Sequence, residues 1–197
     1  MIARPPSVVI LAGGAGRRLG GDKPFHVFEG RPLISAAIAT LQVQTRKLFI
    51  NAGPRNRPHG GLAGTGIELC FDDPRFENLG PLTGIHAALQ KISGLGADRV
   101  ITAPCDMPRL PADMVARLIA GHDDSNDVTY FQGVRDYPLC ALWSARLLPH
   151  LEQALEAARA AGGLAVMAYL QTCTVGAIRV TDDVAFTNVN RPTPPFS

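Results

Sequence analysis

Short apolar runs alternate with segments of helical period along most of this chain, and few folds accept that pattern. Ser7–Ala12 (SVVILA) is a continuous apolar run, as expected of a strand buried on both faces of a parallel sheet. Lys47–Asn51, Ile67–Phe71, Arg99–Ala103, Asp127–Phe131 and Leu139–Trp143 read as further strands, and Thr174–Val180 as a late edge strand. Between them, Pro32–Leu41, Leu82–Ile92, Pro111–Ala120, Leu147–Ala161 and Ala165–Leu170 have helical spacing, the first three started by Pro32, Pro81 and Pro111. Gly162 and Gly163 break the fourth helix from the fifth. The segment from Asn51 to Gly66 reads as a surface loop. This order predicts an α/β fold: three layers, α/β/α, around a doubly wound, mostly parallel sheet. Ligands of such sheets bind beyond the carboxyl ends of the strands, so the residues just after each strand are the candidates for function.

With 197 residues the chain suits one domain, expected over residues 1–190, followed by a loose Pro-rich tail, RPTPPFS, at 191–197. Lys plus Arg total 19 against 17 acidic residues, a balance that argues against a nucleic-acid binder. No apolar run approaches the roughly 18–20 residues that span a bilayer. The apolar stretch Val8–Ala12 is too short for a signal peptide's core, so a cytoplasmic protein is expected. Cys70, Cys105, Cys140 and Cys173 are spaced 35, 35 and 33 residues apart, which reflects the rhythm of βα units, since their contexts share no repeat. With no Cys-x-x-Cys and five scattered histidines, reduced thiols are expected rather than a zinc site.

Chemistry concentrates after the first strand. Leu11-Ala12-Gly13-Gly14-Ala15-Gly16-Arg17-Arg18-Leu19-Gly20-Gly21-Asp22-Lys23 holds five glycines and three cations. Glycine lets the backbone approach an anion closely, successive N–H groups form a nest for phosphate oxygens, and Arg and Lys neutralise charge. A Walker A loop needs Ser or Thr after Gly-Lys, but Lys23 lies between Asp22 and Pro24. A dinucleotide fingerprint needs Gly where Leu19 stands. The loop therefore reads as a triphosphate cradle of another kind.

Leu-Ala-Gly-Gly, then Arg-x-Gly-Gly, then Asp-Lys, resembles the signature of nucleotidyltransferases with the Rossmann-like nucleotide-diphospho-sugar-transferase fold. Within them it resembles the molybdenum cofactor guanylyltransferase family. The resemblance covers nearly the whole chain, through Asn51, Asp73, Gly80-Pro81-Leu82-x-Gly84, Cys105-Asp106-Met107-Pro108 and Asn188-Val189-Asn190. It implies transfer of GMP from GTP to the terminal phosphate of molybdenum-bound molybdopterin, forming the guanine dinucleotide, with release of pyrophosphate and with Mg²⁺ as cofactor. On the matching positions it implies catalytic roles for Lys23, Asp106 and Arg18. Leu11, Ala12, Gly13, Gly14, Lys23, Asn51, Asp73 and Asp106 would bind nucleotide, and Asp106 the metal. Gly80, Gly84, Asn188 and Asn190 would bind molybdopterin. Between the adjacent Asp72 and Asp73 the family pattern maps onto Asp73, but a register shift of one exchanges them. Arg17 would be a secondary contact. Partners implied are GTP and molybdopterin, with molybdoenzyme-specific chaperones and a molybdenum-insertion protein; a monomer is expected.

The sequence departs from the family in two places: Gly21 meets Asp22 directly, and Pro24 and Phe25 follow Lys23 where small residues are common. The chemistry suits these residues. A terminal phosphate monoester is largely dianionic at neutral pH and attacks without a general base. A carboxylate such as Asp106 at a strand's carboxyl end suits Mg²⁺. Three rivals remain. A cytidylyltransferase resembles Leu-Ala-Ala-Gly instead, and Gly13 would leave more room for a purine. A sugar- or polyol-phosphate nucleotidyltransferase would lack the terminal Asn-x-Asn. A non-enzymatic cofactor-delivery partner would bind GTP and make no product.

Overall fold

The computed structural model describes residues 6–14, 23–57 and 59–189. Arg17, Arg18 and the remaining glycines of the cradle lie outside the described residues, as do Asn190 and the tail 191–197. A seven-stranded sheet runs through the molecule in the order β5-β4-β1-β6-β8-β7-β9. Its strands are β1 (Ser7–Leu11), β4 (Leu48–Asn51), β5 (Glu68–Cys70), β6 (Arg99–Pro104), β7 (Val128–Gln132), β8 (Asp136–Ser144) and β9 (Val175–Arg179). A small antiparallel hairpin, β2 (Val27–Phe28) and β3 (Arg31–Pro32), forms a second sheet.

Strand β1 explains the layering. Successive side chains of a strand face opposite sides. Val8, Ile10 and Ala12 enter one core with α1 (Leu33–Leu41) and α4 (Met114–Ala120), through Ile34, Ala37, Leu41, Met114, Val115 and Leu118. Val9 enters the other, built with α3 (Pro81–Ser93), α5 (Leu148–Ala158) and α6 (Val166–Leu170), through Leu82, Ile85, Leu89, Leu151, Leu155 and Tyr169. A strand buried on both faces has no polar side to show, and SVVIL has only Ser7, itself buried, among apolar residues. A four-residue helix, α2 (Gly60–Ala63), interrupts the loop after β4.

The parallel pairs are β1 with β4 and β6, β4 with β5, and β7 with β9, whereas β8 runs antiparallel between β6 and β7. The cause is length: three residues, Gly133–Arg135, join β7 to β8, and a parallel crossover needs a dozen or more. Strand β8 also begins at Asp136, three residues before the expected Leu139. Pro138 hides that start in the sequence, and it is tolerated because the β7–β8 register shifts between Tyr130 and Phe131. All four cysteines are free, as expected. Among the described residues no helix is long and apolar enough to cross a membrane.

Candidate active site

A cleft of about 690 Å³ opens along the carboxyl ends of β1, β4 and β6, where the chain leaves β1 for β4 on one side and β6 on the other. It is lined by Leu11, Ala12, Gly13, Gly14, Lys23, Asn51, Gly80, Gly84, Asp106 and Asn188, all expected site residues. Asp73 is not among them; Asp72 is.

The two halves of the cleft come from two stretches of chain. Residues 11 to 84 supply the half around Gly13, Asn51, Asp72 and Gly84. Asn51 ends β4 and is 2% exposed, and its Nδ2 donates to Asp72 Oδ1 over 2.9 Å. Glycines set its surroundings. A β-carbon on Gly84 would stand 2.8 Å from Asn51 Oδ1, so the start of α3 closes on the amide only because that position is bare. A β-carbon on Gly13 would overlap the backbone of Gly53, which itself has φ +78°. The bare Cα of Gly13 is therefore required by chain packing as well as lying on the cleft wall. Gly84 thus sits against Asn51 and Leu11, two residues expected at the nucleotide, although the family resemblance groups it with molybdopterin.

The adjacent aspartates divide. Asp72 is 7% exposed. Burial pushes its carboxyl above the ordinary range, opposed by hydrogen bonds from Asn51 and Thr83. Asp73 instead turns out of the cleft and caps the short 3-10 turn Pro74–Phe76, accepting from Arg75 N at 2.9 Å and pairing with the Arg75 guanidinium at 2.8 Å. That guanidinium holds the Asp73 carboxyl down at about 2.

Asp73, His86 and Glu152 lie close enough together to suggest a metal site, yet Arg75 already bridges the two carboxylates. His86 Nε2 lies 3.1 Å from Glu152 Oε1, while its buried Nδ1 has no partner. An Nε2–H tautomer donating to Glu152 leaves only a lone pair unmatched. Metal bound at Nε2 would strand a buried N–H, so these groups fit an ion-pair network better than a cation.

Asp72 carries a testable consequence. Thr83 Oγ1 has one proton for two acceptors, Gly80 O at 2.8 Å and Asp72 Oδ2 at 3.2 Å. Shared between the two, that proton supports the carboxylate oxygen only weakly. In Asp72→Asn the new amide donates to Thr83 and still accepts from Asn51. Because the folded pKa of Asp72 is raised, its contribution to stability is present at low pH and is lost as pH rises above the ordinary carboxylate range. Asp72→Asn is expected to melt about 2–4 °C higher than the parent at neutral pH, about 1 kcal/mol for this size, with the gap closing at pH 4 and below. Thermal melts of both proteins across pH 3–8 check it.

Residues 104 to 188 supply the other half. Asp106 follows β6, is 5% exposed, and pairs through Oδ2 with the Lys23 ammonium. It does not cap α4, which begins at Met114. Cys105 beside it also lines the cleft, but burial pushes its thiol up to about 12, so it carries no nucleophile. Sequence reasoning missed Arg135, Tyr137 and Phe186, which stand here with Asn188. The shortness of the Gly133–Arg135 turn was their signal: it folds β8 back so that its start, rather than its end, meets the cleft.

A buried carboxylate paired with a lysine at a strand's carboxyl end, beside a glycine-lined opening and a polar amide pocket, suits a phosphate-bearing ligand. The chain belongs to the MobA-like NTP transferase family, whose domain it matches over residues 8–173. It is 35% identical over 185 residues to a molybdenum cofactor guanylyltransferase from Cereibacter sphaeroides, covering 93% of this chain and 90% of the relative. Its fold is similar to the crystal structure of molybdopterin-guanine dinucleotide biosynthesis protein A from Archaeoglobus fulgidus, with a TM-score of 0.74 at 21% identity, covering 94% of this chain and 93% of that one. A Mycobacterium tuberculosis protein in complex with manganese shares the fold with a TM-score of 0.62 at 10% identity, covering 90% and 89%.

Proposed function

We propose that this chain transfers GMP from GTP to the terminal phosphate of molybdopterin, giving the guanine dinucleotide and pyrophosphate. One observation carries the reading: the Lys23–Asp106 pair at the centre of the cleft. Each group now balances the other's charge, and Asp106 would hold a divalent cation while Lys23 would meet a phosphate oxygen. A metal–triphosphate complex offers both charges in exchange. A buried carboxylate on the cleft wall, held now by an exchangeable ammonium, is a donor that Mg²⁺ accepts, with phosphate oxygens and water completing its shell. The ion would be held by Asp106 and would neutralise charge on the triphosphate.

The chain's own residues do the rest. The backbone at Leu11–Gly14, Asn51 and Asp72 would hold the nucleoside, with Asp72 rather than Asp73 as the contact because only Asp72 faces the cleft. Arg18, outside the described residues, would join Lys23 on the phosphates. Asn188 and Asn190 would receive the pterin, with Gly80 and Gly84 shaping the opposite half. An oxygen of the pterin phosphate attacks the α-phosphorus of GTP; that P–O bond forms as the bond to the β-phosphate oxygen breaks, and the electron pair leaves with pyrophosphate. The attacking oxygen carries no proton, so no base is required. Lys23 stabilises the charge that develops, and alignment in the cleft supplies the remainder. The reading takes the protein as cytoplasmic and monomeric, drawing molybdopterin from the molybdenum-insertion step and passing product to molybdoenzyme chaperones.

Purified protein with Mg²⁺, molybdopterin and each nucleoside triphosphate in turn is expected to form dinucleotide with GTP. Dinucleotide from CTP alone, product only with sugar phosphates, or GTP binding with no product would each replace this reading with one of its rivals.

A further inference from the structure

The half of the cleft proposed for molybdopterin is built from two pieces that share no covalent connection nearby. One is the β7–β8 turn, bringing Arg135 and Tyr137; the other is the segment 183–189, bringing Phe186 and Asn188. One side chain fastens them. The Asp183 carboxylate accepts from Val134 N through Oδ2 at 2.9 Å and from the Tyr137 hydroxyl through Oδ1. These two donors hold its carboxyl below the ordinary carboxylate range. Gly133 leaves the space: a β-carbon there would overlap Asp183 Oδ1. Downstream of Asp183, Phe186 stacks on the Tyr137 ring with centroids 4.7 Å apart, and Val189 N donates to Asp106 O at 2.9 Å. The segment that carries Asn188 is thus pinned at one end to the turn and at the other to the residue expected to hold the metal.

We propose that Asp183 is a positioning residue for the second substrate: it latches the segment 183–189 to the β7–β8 turn and so sets the shape of the acceptor half of the cleft. The inference rests on the proposed function for the identity of the acceptor, but not for the latch itself. Gly13, Asn51, Asp72 and Gly84 make no hydrogen bond to Asp183, and the segment reaches Asp106 only through its backbone carbonyl, so the nucleotide should feel the loss of Asp183 far less than the acceptor does.

Steady-state kinetics of the full chain with GTP and molybdopterin, together with hydrogen exchange, test the proposal. Asp183→Ala is expected to raise KM for molybdopterin about tenfold, the equivalent of about 1.4 kcal/mol, within the cost of hydrogen bonds to a charged acceptor. KM for GTP should move less than about twofold, because the loss lies in one substrate's binding alone. Asp183→Asn keeps one acceptor oxygen and should fall between parent and Ala. Gly133→Ala, which leaves Asp183 in place but fills its space, should reproduce the Ala phenotype. In both Asp183→Ala and Gly133→Ala the amides of Val134 and Val189 should exchange faster. An unchanged KM for molybdopterin, or an equal rise in both KM values, overturns the proposal. If the parent protein binds GTP but forms no dinucleotide, the functional reading fails instead; faster exchange at Val189 would then still establish the latch, and unchanged exchange would refute it.

Discussion

Asp106→Ala is expected to lower the rate of GMP transfer about 10³-fold, the scale seen when a preorganised electrostatic group is removed from a site of developing charge. The same change should shift the melting temperature by less than about 2–4 °C, the equivalent of about 1 kcal/mol. The two effects separate because of what surrounds the carboxylate. Its charge partner is Lys23, whose side chain is 24% exposed and can turn to water when the partner goes. The backbone of Asp106 keeps its place, since its carbonyl still accepts from Val189 N. Nucleotide affinity measured without metal should be retained or rise, because the freed ammonium meets the triphosphate without a competing carboxylate. Transfer assays at saturating Mg²⁺, melts and metal-free titration of GTP together decide the matter. Near-parental turnover would remove Asp106 from the metal and would overturn the mechanism.

Gly13→Ala is expected to destabilise the fold by about 1–3 kcal/mol, the range for forced overpacking. That corresponds to a fall of about 2–12 °C in melting temperature for a chain of this size. The added carbon meets the Cα and N of Gly53, which are main chain and have no rotamer to give. Gly53 cannot simply yield either, since it holds φ +78° and its carbonyl accepts from Asp72 N at 3.0 Å. The strain should therefore reach Asp72, and with it GTP binding, even in molecules that remain folded. Gly14→Ala provides the contrast. A β-carbon there meets none of the described residues within 4 Å, so stability should be unchanged. Melts and GTP titrations of the two variants side by side test the claim; equal behaviour would mean that the loops separate freely.

The sequence announces the layers of this protein more clearly than it announces the direction of every strand. Apolar runs such as SVVIL and helical repeats such as Leu82, Ile85, Leu89 and Ile92 specify burial, and burial specifies which faces meet. Strand β8 needed a different kind of reasoning, from the length of a connection rather than from the pattern within it. The hairpin β2–β3 has only two residues in each strand, and α2 only four with two glycines, so neither offers a period to read. Within the site, Lys23, Asn51 and Asp106 were legible because each directly follows a strand or the cradle. The choice between Asp72 and Asp73 was not, because it depends on where β5 ends, and one residue reverses a side chain's direction. Here β5 ends at Cys70, and Asp73 is drawn outward by Arg75, a partner two residues later. Tyr137 and Phe186 carry no chemical signature of their own. They enter the cleft only because a short turn and an aspartate bring them there.

The division of the cleft by sequence position has a consequence for how such a protein can change. The lining falls into two runs of sequence, 11–84 and 104–188, which meet where Lys23 pairs with Asp106 and where Leu164 N donates to Leu79 O. The chain crosses between them once, at the exposed turn that follows Ser93. A recombination event at that turn would leave an intact cleft only if the incoming half preserved both contacts across it, Lys23 with Asp106 and Leu79 with Leu164.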